Sequence, residues 1–144
     1  MMSFAFGGHE RERLQIAVAG YERPTPCGDD HDDNWLTVHV TLQCGAFEGR
    51  FDAAFLTHEL QSFHVQLQHL YRTLVGTAQL RTLEGQLQCT ATGDGRGHVR
   101  ITGVATDEPG GDRHLAFALD IDQTQLHASL QSLASVLQAF PVRH

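Results

Sequence analysis

The chain has 144 residues, 41% hydrophobic and 19% charged, with a formal net charge of −7. That length suits one domain able to bury most of its apolar surface, and the composition excludes a disordered tail. No apolar run approaches the roughly 20 residues of a membrane-spanning helix, and 17 acidic residues against ten arginines and no lysine disfavour a nucleic-acid backbone as partner and favour a basic one.

Residues 1–10, MMSFAFGGHE, read as a flexible lead-in. They have neither the basic start nor the apolar stretch of a signal peptide, so a cytoplasmic location is expected. Alternation begins at Leu14 and runs through Ile16 and Val18, marking a first strand. A loop over 23–34 follows, where Pro24 and Pro26 exclude a sheet interior. WLTVHVTLQC then alternates cleanly, with Leu36, Val38, Val40 and Leu42 on the inward phase and Trp35, Thr37, His39 and Thr41 on the other. Gly45 turns the chain into a third strand, with Phe47, Phe51, Ala53 and Phe55 inward.

From Thr57 the period lengthens. Leu60, Phe63, Leu67, Leu70, Tyr71 and Leu74 recur at three- and four-residue steps, the stripe of an amphipathic helix. Thr57 is its expected N-cap, Glu59 suits the first turn, and Gly76 is the expected stop. Four short strands come next, at approximately 78–82, 85–92, 97–106 and 113–121. A second helix over about 123–140 carries Leu126, Leu130, Leu133, Val136, Leu137 and Phe140 on one stripe, with Asp122 or Thr124 as cap and Pro141 beyond its end.

The order βββαββββα with short links predicts hairpins and a largely antiparallel sheet. The expected fold is a single α+β domain over 1–144: a two-layer sandwich with one sheet of about seven strands and both helices covering one face. The other face would be open and polar, carrying Trp35, Thr37, His39, Glu48, Arg50, Asp52, Gln86, Gln88, His98, Arg100, Thr102 and His114. No repeat or linker is evident.

The run Gly28-Asp29-Asp30-His31-Asp32-Asp33-Asn34-Trp35 packs four carboxylates and an imidazole into five positions. A calcium loop needs Gly at its sixth position and Glu at its twelfth. Counted from Asp29 these are Asn34 and Val40, so the match fails. Zinc needs converging His or Cys, and only His31 and Cys27 are nearby. No metal or other cofactor is therefore expected. Gly93-Asp94-Gly95-Arg96-Gly97-His98 has no helix pattern after it and reads as a hairpin turn, not a phosphate loop. The three cysteines form no C-x-x-C pair, and a Cys44–Cys89 bridge would be exceptional in a reducing compartment. His39, His98 and His114 share the predicted open face, and a pair such as His39 with Asp52 suits acid–base work, but no nucleophile motif accompanies it. Trp35, on the phase opposite the core, either covers the sheet edge or anchors an interface.

Gly20-Tyr21-Glu22-Arg23-Pro24 and Asp32-Asp33-Asn34-Trp35-Leu36 resemble the opening of the WapI-type immunity proteins of bacterial polymorphic toxin systems. Further similar features are the helix at Glu59–Leu70, Leu83-Glu84-Gly85, the Gly93–Val99 turn, the Asp122-Gln123-Thr124 helix start and the close Phe140-Pro141-Val142-Arg143. The resemblance covers about residues 12–143. It departs at His31, where the family favours an aromatic, and at Asp33, where it favours a small residue. It implies a cytoplasmic, non-enzymatic protein that binds and neutralises a toxin domain, often a nuclease. The expected contact surface is Asp29, Asp30, His31, Asp32, Asp33 and Trp35 with His39, Arg50, His98 and Arg100, facing a basic toxin rather than nucleic acid or membrane. The rival readings are a metal-dependent enzyme using His31 and the sheet histidines, and an oligomeric scaffold.

Overall fold

The computed structural model describes residues 1–8 and 11–144. It contains β1 (Met2–Gly7), β2 (Glu12–Tyr21), β3 (Trp35–Cys44), β4 (Phe47–Leu56), α1 (Thr57–Thr73), β5 (Val75–Arg81), β6 (Leu87–Asp94), β7 (His98–Thr106), β8 (His114–Asp122) and α2 (Gln123–Ala139). The fold is α+β and antiparallel throughout, as the alternation implied. The single sheet is corrected: strands pair in chain order into two four-stranded sheets, β1–β4 and β5–β8.

The predicted lead-in is also corrected over residues 2–7. Met2–Gly7 pairs along β2, Phe4 opposite Ile16 and Phe6 opposite Leu14, and both phenylalanines are buried. The alternating F-A-F carried that information. Of the rest of the lead-in, His9 and Glu10 lie outside the described residues.

Local patterning could not decide between one sheet and two. Alternation states that one face of each strand is buried, not what buries it. Here each sheet turns its apolar face toward the other, and one core cluster joins both sheets and both helices. β8 touches β1, β2 and β3 in turn, so it runs across the first sheet. The helices do not cover one face as expected: α1 packs mainly on β5, α2 on β1, and each on the other.

The two halves repeat one another, a relation that the alternation had not revealed. Both run ββββα. Leu60, Phe63, Leu67 and Leu70 of α1 have the spacing of Leu126, Ser129, Leu133 and Val136 of α2, all buried. Each helix closes the outer edge of the other half's first strand. The Gln66 side chain accepts from Gln79 N at 2.9 Å on β5, and Ser129 donates to the Ala5 carbonyl on β1. Gln86, expected on the open face, is instead buried off the strands. Its amide donates to the carbonyls of Asp52 (3.0 Å) and Asp107 (3.1 Å), tying the two sheets together.

Helix ends follow backbone demands more than the expected caps. The α1 N-cap is Leu56, whose N–H donates to Glu59 at 2.7 Å; Thr57 is buried and donates to Asn34 O. Leu74 (φ 64°) is the left-handed C-cap, and Gly76 lies within β5. At α2 Asp122 caps as expected, accepting from Gln125 N at 2.8 Å. Gly103 marks a close approach on β7: a Cβ there would lie 2.3 Å from Gln88 O and 2.8 Å from Phe117 Cζ.

Candidate functional site

The longest departure from the repeat is one connection. The second half joins its middle strands through residues 95–97, whereas the first half uses residues 22–34, the acidic stretch. This insertion is folded, not loose. A short 3₁₀ turn over Asp32–Asn34 delivers the chain into β3.

Asp33 builds the loop's interior. Its carboxylate accepts N–H groups from Cys27 (2.9 Å), Gly28 (2.9 Å) and Asp29 (3.0 Å), and Arg23 lies 3.7 Å away. These donors favour the charged form and hold its pKa below the usual carboxylate value, the Cys27 N–H contributing most and desolvation opposing. The expectation of an exposed Asp33 is therefore corrected: it and Asn34 are buried. Because the folded pKa is depressed, Asp33 stabilises the fold above the unfolded value of 3.8 and loses that contribution as pH falls through the folded pKa. Asp33→Asn should lower the urea midpoint at pH 7. The gap from wild type should close below about pH 4; a gap constant across pH would contradict this role.

The C-terminal segment locks the loop from behind. Arg143 N donates to Asn34 Oδ1 at 2.7 Å and Asn34 Nδ2 donates back to Arg143 O at 2.9 Å. The guanidinium donates to the carbonyls of Asp33 (3.0 Å), Pro24 (3.2 Å) and Arg23 (2.8 Å), and its carbon stands 3.6 Å above the Tyr21 ring. Tyr21 reaches this position because the register shifts between Val18 and Gly20. Such a bulge reverses the side-chain phase, bringing Tyr21 opposite Leu36 and against Phe140. The Tyr21 hydroxyl donates to Pro141 O, and burial pushes its pKa up, partly offset by Arg143. Sequence reasoning missed Tyr21, Asn34 and Arg143 as a unit, since their partners lie about a hundred residues apart.

What remains outward is an acidic surface. Asp29, Asp30 and His31 are exposed. Asp29 Oδ1 accepts His31 N (3.0 Å) and Asp32 N (3.2 Å), and Asp32 pairs with Arg23 at 3.3 Å. The His31 ring meets the half-buried Trp35 edge-on, centroids 5.5 Å apart. Beside them a cleft of about 400 Å³ is lined by His31, Leu56, His58, Glu59 and Leu83. Glu59 accepts Leu83 N at 2.6 Å, and burial raises its pKa against the backbone donors that lower it.

Trp35, Thr37 and His39 carry this surface onto the outer face of the first sheet, where His39 pairs with Asp52 and Arg50 with Glu48 (2.8 Å). His98 and Arg100 lie elsewhere. Both pair with Asp120 in the second sheet, at 3.1 Å and 3.2 Å. The single open face that would have united them is thus corrected: it is two outer faces on different sheets. His114 bonds Thr106 at 2.9 Å, so the sheet histidines do not converge with His31. Among the described residues no group of three His, Cys, Asp or Glu side chains is placed to hold a metal ion. All three cysteines are free, and burial pushes Cys89 up to about 12, an unreactive thiol at neutral pH. Among the described residues no helix is long and apolar enough to cross a membrane.

Comparison with known proteins agrees with this architecture. The MRP1/MRP2 crystal structures from Trypanosoma bruciei superpose with a TM-score of 0.53 at 10% identity, over 96% of this chain and 83% of theirs, a likeness of fold alone. No curated protein matches the sequence. Residues 5–141 match the immunity protein WapI-like family.

Proposed function

The chain belongs to the WapI-like immunity protein family, and on that premise we propose that it binds and neutralises a cognate toxin domain, without catalysis of its own, in the cytoplasm. The observation that carries this reading is the inserted 22–34 loop, present in one half only and held rigid by Asp33, Asn34 and Arg143. A preorganised loop loses little entropy on docking. Asp29, Asp30 and Asp32 supply a field suited to a basic partner, of the kind a nuclease presents. Trp35 with His31 supplies an aromatic anchor beside them, and His39 and Arg50 extend the surface along the first sheet. His98 and Arg100 fall outside this contact.

The test is a titration against the toxin-like C-terminal domain encoded beside this gene, at low and high salt. Sub-micromolar binding, weakened by salt and by Asp29, Asp30 and Asp32→Asn together, is the expected result; the Asn side chain keeps the oxygen acceptor that Asp29 offers to His31 N and Asp32 N, and circular dichroism checks that folding is intact. The predicted loss is tenfold or more in affinity, chiefly in the association rate. Binding that ignores the triple change moves the contact elsewhere; absence of binding defeats the reading.

A further inference from the structure

Three of the four outer strands are closed by the fold. β1 is met by Ser129 and β5 by Gln66. On β8, Cys44 Sγ donates to Ala118 O at 3.3 Å and Asp120 N donates to Glu12 at 3.4 Å. β4 is closed at Asp52, whose carbonyl Gln86 holds, and at its far end at Leu56, whose N–H donates to Glu59. Even-numbered residues of β4 turn their backbone groups away from β3, as Asp52 does. Those of Glu48 and Arg50 find no hydrogen-bond partner among the described residues on that side. Alongside runs a groove of about 380 Å³ that includes Phe47, Phe51 and Leu115. Phe47 is 66% exposed. An open edge beside an exposed aromatic is a template for another strand.

We propose that this edge is a homodimer contact, in which β4 of a second copy pairs antiparallel across a two-fold axis at Gly49. Charge selects both occupant and register. Centred on Gly49, Glu48 of each copy faces Arg50 of the other, opposite charges on the same sheet face. Their free N–H and C=O groups fall into hydrogen-bonded pairs, and Phe47 meets the second copy's Phe51 over the groove. Centring on Arg50 would set Arg50 against itself and Glu48 against Asp52. Centring on Phe51 would need the Asp52 carbonyl already held by Gln86. The contact is isologous and closes at two subunits. It is short, so the dimer is weak.

Light scattering or sedimentation of the full chain from about 1 to 500 µM, the range of a weak contact, should show mass rising from monomer toward dimer. Glu48→Arg should hold the chain monomeric throughout, and Glu48→Arg with Arg50→Glu should restore the dimer. Both side chains are solvent-exposed, and circular dichroism checks that folding is intact. In a Cys27→Ser background, Gly49→Cys should oxidise to a covalent dimer, because residues facing across a non-hydrogen-bonded position lie at disulfide distance. A monomer at every concentration overturns the proposal, as does a dimer indifferent to Glu48→Arg. A monomer whose toxin binding is weakened by Glu48→Arg overturns it too, and assigns the edge to the toxin.

Discussion

Phe63→Ala should cost about 4 kcal/mol of folding free energy, the loss expected for emptying a fully enclosed aromatic site. Phe63 has no exposed surface. From α1 it meets Phe6 of β1 at 5.9 Å, and Phe6 in turn meets Phe4 at 6.0 Å. The cavity would therefore open between a helix of the first half and the strand that α2 covers, where both sheets and both helices share the core. A close-packed core cannot collapse around such a void without shifting backbone. Urea denaturation should show a lower midpoint at unchanged slope. Val65→Ala on the same helix, at a side chain 61% exposed, should stay within about 0.5 kcal/mol. A Phe63→Ala loss below about 1 kcal/mol would contradict the enclosure of Phe63 in the shared core.

Asn34→Ala should cost about 3 kcal/mol, the next largest effect. It removes the paired bonds with the Arg143 backbone (2.7 and 2.9 Å) and the bond to Asp30 O, leaving partners unsatisfied in a buried setting. Arg143→Ala should give a similar loss by freeing the carbonyls of Arg23, Pro24 and Asp33, and Arg143→Lys should not rescue it, because one ammonium cannot span that fork. The double variant should lose less than the sum, since the Asn34 amide and the Arg143 guanidinium hold the same loop to the same C-terminal segment through adjoining bonds. Hydrogen exchange at Cys27, Gly28 and Asp29 should accelerate in each variant while the β3 core stays protected. Additive losses would show that loop and C-terminal segment are held independently. If the loop is the toxin contact, these variants should also weaken binding without touching a carboxylate at the surface.

Much of the fold was legible because its signals are local. The alternation of Leu36–Leu42, the three- and four-residue stripe of α1 and the Asp122 cap each depend on neighbours in the chain. The acidic loop was visible for the same reason. Its internal roles were not: Asp29, Asp30, Asp32 and Asp33 look equivalent in sequence. Only three converging backbone N–H groups separate buried Asp33 from the others. The bulge at Ala19 was equally hidden, and it turns Tyr21 inward to receive Arg143.

The sequence by itself determined the α+β class, seven of the eight strands, both helices and the family, because periodicity, turn chemistry and motif spacing are properties of short windows. Tertiary structure alone decided that the strands form two sheets, that each helix closes the other half's edge and that β4 keeps an open one. It also decided that His39 and His98 lie apart while Asn34 and Arg143 meet. A strand's pattern specifies that one face must leave water, and any apolar surface satisfies that demand. Which surface does so depends on the packing of the whole chain.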